Sequence, residues 1–144
     1  MTRLLLKDEL LDAQLLRAVG SSPYDGADVG ECLATGRRID EGNLDSWFEE
    51  WSATARSVHE LARQEESRGH QESARCAYLR ACTYHRTAGV MLLGAPLDQR
   101  LVSAYAVQTE AFRQALALMD VPGETIRIPF AEIGRASCRE RVCT

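Results

Sequence analysis

The chain has 144 residues and a formal net charge of −4, a size suited to one domain. Its 45% hydrophobic and 26% charged residues are ordinary for a soluble globular protein. An acidic chain without a basic stripe is poor material for binding phosphate backbones, so nucleic acid is not an expected partner.

Near the N-terminus Leu4, Leu5 and Leu6 are followed at once by Lys7, Asp8 and Glu9. Three leucines are too few for a signal-peptide core and far too few for a membrane span, so the expected setting is cytoplasmic, without a membrane partner. A first helix is predicted over about 4–19, with Leu11, Leu15 and Val19 at helical spacing and Gly20, Ser21, Ser22 and Pro23 ending it. A second, short helix leads from Asp28 through about Ile39, with Val29, Cys32, Leu33 and Ile39 on one face. Gly42 breaks the chain again, and Asn43 or Asp45 can cap the third helix by accepting bonds from its first N–H groups. Trp47, Trp51, Ala55, Val58 and Ala62 then step along one stripe, and Gly69 is the natural stop.

The fourth helix, about 71–93, is the most regular. Ala74, Ala77, Tyr78, Ala81, Cys82, His85, Ala88, Gly89 and Leu92 follow an inward-facing pattern, and many of them are small. Small side chains let helix axes approach, which predicts a central helix crossed by neighbours on more than one side. Gly94, Ala95 and Pro96 close it, and a fifth helix over about 98–119 shows Leu101, Tyr105, Phe112, Leu116 and Met119 on one face. The structural core is expected to rest on Trp47, Trp51 and Phe112, whose aromatic faces dominate burial.

After Pro122 and Gly123 the period changes from helical to alternating: Ile126, Ile128 and Phe130 against Thr125, Arg127 and Pro129. A lone strand leaves its backbone groups without partners, so further strands are expected to follow. The fold class expected is all-α, a five-helix bundle-like accessory domain (1–122) ending in a short strand (123–131) that would start a sheet. The last segment, 132–144, reads as non-native. Its stretch IGRASCRERV (133–142) resembles the translation of a widely used short-read sequencing adapter, ATC GGA AGA GCG TCG TGT AGG GAA AGA GTG, at every position. A genuine basic tail is the alternative. This segment contributes Cys138 and Cys143, leaving Cys32, Cys76 and Cys82 with no CxxC pair. Those read as buried free thiols, and neither a zinc site nor any other metal or cofactor is expected.

Signatures of self-contained chemistry are missing. The chain has no G-x-S-x-G, no phosphate-binding glycine loop and no H-E-x-x-H. His59 and His70 read as solvent-facing or helix-terminal residues. His85 lies on the small-residue stripe of the fourth helix. It reads either as a core histidine bonded to a neighbouring helix or as a polar group facing a ligand cleft shared with another domain. Tyr78, Arg80 and Tyr84 are weighed in the same way, and with His85 they are the substrate-cleft candidates. Carboxylate pairs such as Glu49 and Glu50 are adjacent in sequence, so they diverge on a helix and suit a solvated face.

The segments YDGADVGE (24–31), LDSWFEEWSATA (44–55), GHQESARCAYLRACTYHRTA (69–88) and IRIPF (126–130) carry a family resemblance. The run containing them resembles the N-terminal helical domain of α/β-hydrolases related to 2,6-dihydroxypseudooxynicotine hydrolase and the FrsA-type esterases. The W-x-x-x-W pair and G-H-x-x-S-A-R followed by A-Y-L-R-A are its most specific parts. The resemblance implies that the exit strand opens a hydrolase domain whose serine, acid and histidine all lie downstream, so this chain carries no catalytic residue. It also implies that the helical domain packs over its own hydrolase domain, helps shape the cleft for a small-molecule substrate and can contribute to a homodimer. The parent would then cleave esters or carbon–carbon bonds next to a carbonyl, or transfer acyl groups. A stand-alone helical interaction module and a helical ligand-binding protein using His85 and Tyr84 are the competing expectations.

Overall fold

The computed structural model describes residues 3–121, together with 123 and 126. Five α-helices follow in order: α1 (Glu9–Val19), α2 (Val29–Gly36), α3 (Leu44–Ser67), α4 (Gln71–Gly89) and α5 (Gln99–Ala117). Single 3-10 turns, Ser22–Tyr24 and Val90–Leu92, follow α1 and α4. The strand expected over 125–130 and the tail at 132–144 lie outside the described residues, Ile126 excepted.

Each helix begins at a side-chain cap where one is available. Asp8 accepts from the Leu10 and Leu11 N–H groups at 2.9 Å each, Asp28 from Glu31, Asn43 from Asp45 and Ser46, and Asp98 from Arg100. Asp8 is also why α1 starts at Glu9 rather than near Leu4. The buried carboxylate of Asp12 takes the N–H groups of Leu4, Leu5 and Leu6 at 2.7, 2.8 and 2.9 Å, folding the N-terminal segment back onto α1. Those three bonds hold Asp12 below the usual carboxylate range, against the opposing effect of burial. The second helix is shorter than expected and stops at Gly36. A Cβ there would sit 2.8 Å from Leu5 Cδ2 and 3.1 Å from Leu15 Cδ2, so a larger residue would have to push those leucine methyls aside.

Helices α3 and α4 form an antiparallel pair joined by a tight turn in which Gly69 adopts φ +80°, the left-handed conformation glycine accepts at no steric cost. The stripe read from the sequence of α3 is the one that packs: Trp47, Trp51, Ala55, Val58 and Ala62 are all buried. Trp47 Nε1 donates to the Thr87 carbonyl at 2.8 Å, and the Trp51 ring tilts between Trp47 and Tyr84 at centroid distances of 5.7 and 5.5 Å. Helix α4 is central, with α3, α5 and α1 all packed against it. Its Ala74, Ala77, Ala81 and Ala88 are buried, as small residues at a close crossing should be.

The face assigned to α5 needs correction. Phe112, expected in the core, is 42% exposed, and Tyr105 is 65% exposed. The buried residues of α5 are Ala104, Ala111 and Ala115. Gly89 of α4 meets α5 closely, since a Cβ there would lie 3.9 Å from Ala104 Cβ. The large side chains are turned to the rim of that contact, where Leu101 closes over Gly89, a Cβ at Gly89 coming within 2.9 Å of Leu101 Cδ1.

Candidate functional site

All four cleft candidates stand on α4, but the structure divides them between two clusters. In the first, Tyr84 and Arg80 converge on Glu31 at the start of α2. The Tyr84 hydroxyl accepts the Asp28 N–H at 2.8 Å and donates to Glu31 Oε2 at 2.7 Å. Arg80 Nε donates to the same oxygen at 3.1 Å. One carboxylate thus ties α2 to α4 through a fully buried tyrosine and a mostly buried guanidinium. Burial, reinforced by Glu31, pushes the Tyr84 hydroxyl far above the ordinary tyrosine value, so it remains a neutral donor.

In the second cluster Tyr78 and His85 flank His59 of α3. The His59 ring meets Tyr78 edge-on at 5.5 Å and His85 at 6.0 Å. His59 Nε2 shares a 3.0 Å hydrogen bond with Gln114 Oε1, joining α3 to α5. His59 is therefore buried and not solvent-facing: it follows Ala55 by one turn and lies on the seam with α4. His70, in contrast, is exposed at the N-terminal end of α4 beside Glu65, a helix-terminal position. Tyr78 donates to Glu66 at 2.6 Å, and burial followed by that carboxylate pushes its hydroxyl up to about 12.

His85 is 5% exposed, and among the described residues its Nε2 has no hydrogen-bond partner, so the expectation of a core histidine bonded to another helix is not met there. Burial, then the charges of His59 and Arg56, push its imidazole down to about 4. It is a neutral ring at physiological pH.

Arg80 also faces outward, onto a shallow open groove between α3 and α4 that includes Leu61, Glu65, Glu72 and Cys76. Tyr78, Tyr84 and His85 do not line it. The carboxylates of Asp25 and Glu72 and the Cys76 thiol lie within 4.8 Å of one another near this groove. Arg75 already supplies their positive charge, pairing with both carboxylates. Burial raises the Cys76 thiol above its ordinary value, which disfavours the thiolate a metal would need.

Nothing in this arrangement generates a nucleophile. Among the described residues no serine or threonine hydroxyl and no thiol is hydrogen-bonded to a histidine, the pairing that activates such groups. Burial pushes Cys32 up to about 11 and raises Cys82 as well, so these thiols are also protonated at neutral pH. Glu31 and His59 are the site residues that sequence reasoning missed. His59 had a signal in its place on the α3 stripe. Glu31 had none, since its partners lie some fifty residues away.

No family profile matches the chain. Individual proteins do. The chain is 33% identical over 122 residues to the 20-hydroxy-prefusarin hydrolase FUS2 of Gibberella moniliformis, covering 85% of this chain and 29% of that protein. It is 34% identical over 117 residues to hydrolase LUC6 of a Fusarium species, covering 81% of this chain and 28% of the relative. Against the alpha/beta hydrolase psoB of Aspergillus fumigatus the identity is 30% over 128 residues, with 88% and 29% covered. Among the described residues no helix is long and apolar enough to cross a membrane. The helical chain is thus similar over most of its length to fungal proteins named as hydrolases, and it spans a little under a third of each of these three.

Proposed function

We propose that this chain is the N-terminal helical accessory domain of a longer α/β-hydrolase, with 1–122 forming the domain and 123–131 opening the hydrolase sheet. The observation that carries this reading is the coverage: hydrolases named as such match 85% of the chain with only 29% of their own length. On this reading the catalytic serine, acid and histidine belong to the remaining length, where a histidine-activated serine and backbone N–H donors would act on a small-molecule ester or a carbon–carbon bond next to a carbonyl, or transfer an acyl group. The 144-residue chain itself is catalytically inactive. The lack of any activated nucleophile among its described residues is consistent with that.

Of the cleft candidates, Arg80 is the one with access to an open surface. Tyr84 and Glu31 hold it, while Tyr78 and His85 act through packing. The segment 132–144 is read as adapter-derived, and the intact protein as cytoplasmic. Reading the gene on both sides of codon 130 tests the proposal. An open frame that continues into strands and a G-x-S-x-G, with a product that hydrolyses p-nitrophenyl esters while the 144-residue chain does not, is the expected outcome. A gene that ends naturally at Thr144 would refute it.

A further inference from the structure

Large apolar side chains of α5 lie on one side of the helix, away from its buried alanines, with Gln108 and Thr109 between the two aromatic ones. Tyr105, Phe112 and Leu116 recur at helical spacing, and Val102 lies one turn before Tyr105 on the same side. Tyr105, Phe112 and Val102 are exposed, and Leu116 is half-buried. Tyr105 at 65% and Phe112 at 42% exposure put two aromatic rings in water on this side of α5. The stripe arises from the alanine seam, because the contact with α4 is already complete without it.

We infer that this stripe is the seam on which the following part of the longer polypeptide docks, through an apolar surface rather than through the polar groove beside Arg80. The inference rests on the proposed function and names the face that function uses. Two observations select this occupant over a separate protein. Roughly seven-tenths of each of the three hydrolases compared has no counterpart here, so a large covalently attached partner is at hand. Beyond α5, the backbone returns to the stripe itself: a Cβ placed on Gly123 would lie 2.8 and 3.1 Å from the two Leu116 methyl carbons. The chain thus leaves the helical domain in contact with the apolar face, and a tethered partner starting there docks at high effective concentration. The alternating Ile126, Ile128 and Phe130 supply apolar side chains at the start of that partner.

Hydroxyl-radical footprinting, calibrated with an added reporter peptide, tests this on two proteins: the 144-residue chain and the full-length product of its gene. In the 144-residue chain Tyr105 and Phe112 should oxidise readily. In the full-length protein Tyr105 labelling should fall about tenfold, as 65% exposure drops to that of a fully buried side chain, and Phe112 should fall with it. Equal labelling of both residues in the two proteins overturns the inference, and if that full-length protein still hydrolyses esters, the proposed function stands without it. Protection already present in the 144-residue chain, growing with concentration alongside a dimer in light scattering, also overturns it and assigns the stripe to a second copy. If the gene encodes no longer hydrolase, the proposed function and the inference fall together.

Discussion

Lowering the pH from 7 to 4 should destabilise this chain through His85 in particular. Burial holds the folded imidazole neutral until about pH 4, whereas the unfolded ring takes its proton near 6.5. Between those values the unfolded chain binds more protons than the folded one, so stability falls as the pH drops through the window and the loss is complete near pH 4. At about 1.4 kcal/mol for each pH unit of that window, His85 accounts for at most about 3 kcal/mol. That is a large share of the ~5–15 kcal/mol that stabilises a small domain. His59, its ring 6.0 Å away, is shifted in the same direction, mainly by its own burial, and adds to the loss in the same window. Asp12, held below its ordinary 3.8, begins to contribute only at the acid end of the window, and equally with or without His85. Because His85 Nε2 has no partner among the described residues, His85→Leu removes the titrating group without orphaning another of their polar atoms. Urea unfolding at pH 7, 5.5 and 4, followed by the fluorescence of the buried Trp47 and Trp51, gives the two stabilities. The variant should gain on the wild type by up to about 3 kcal/mol between pH 7 and 4. A difference between them that stays constant with pH would refute the reasoning.

Three other substitutions probe the polar ties and the turn. Asp12→Ala removes the acceptor of three backbone N–H groups and should cost about 2–4 kcal/mol in urea unfolding, with faster hydrogen exchange at Leu4, Leu5 and Leu6. Tyr84→Phe leaves the Asp28 N–H and Glu31 without the hydroxyl that joins them, so a loss of about 1–2 kcal/mol is expected; a variant as stable as the parent would show that this bond holds nothing. Gly69→Ala places a Cβ at φ +80°, and a thermal scan should register a loss of about 1 kcal/mol, with unchanged helicity by circular dichroism.

The helices were legible because their periodicity is set by local spacing, and the α3 stripe from Trp47 to Ala62 was correct in every residue named. Two of the errors have opposite physical causes. Reading α5 gave weight to size, so Tyr105 and Phe112 were turned inward, whereas the buried side carries Ala104, Ala111 and Ala115. Interhelical distance is a property of the pair, and the sequence of one helix does not state it. His59 was misread for the opposite reason: polarity outweighed its position, although Gln114 on a neighbouring helix satisfies it. The convergence of Arg80 and Tyr84 on Glu31 depends on contacts between residues far apart in the chain, which no local pattern encodes.

The turn at Gly69 has a kinetic consequence. Helices α3 and α4 are neighbours in sequence, and closing the short link between them costs little chain entropy. Low contact order predicts that the α3–α4 pairing next to Gly69 forms early, which φ-values at Ala62 and Ala74 would check. Helix α2 joins later, because Glu31 and Asp28 find their partners only once Arg80 and Tyr84 already stand in register on a finished α4. On this expectation the α3–α4 hairpin is in place before α2 docks on it.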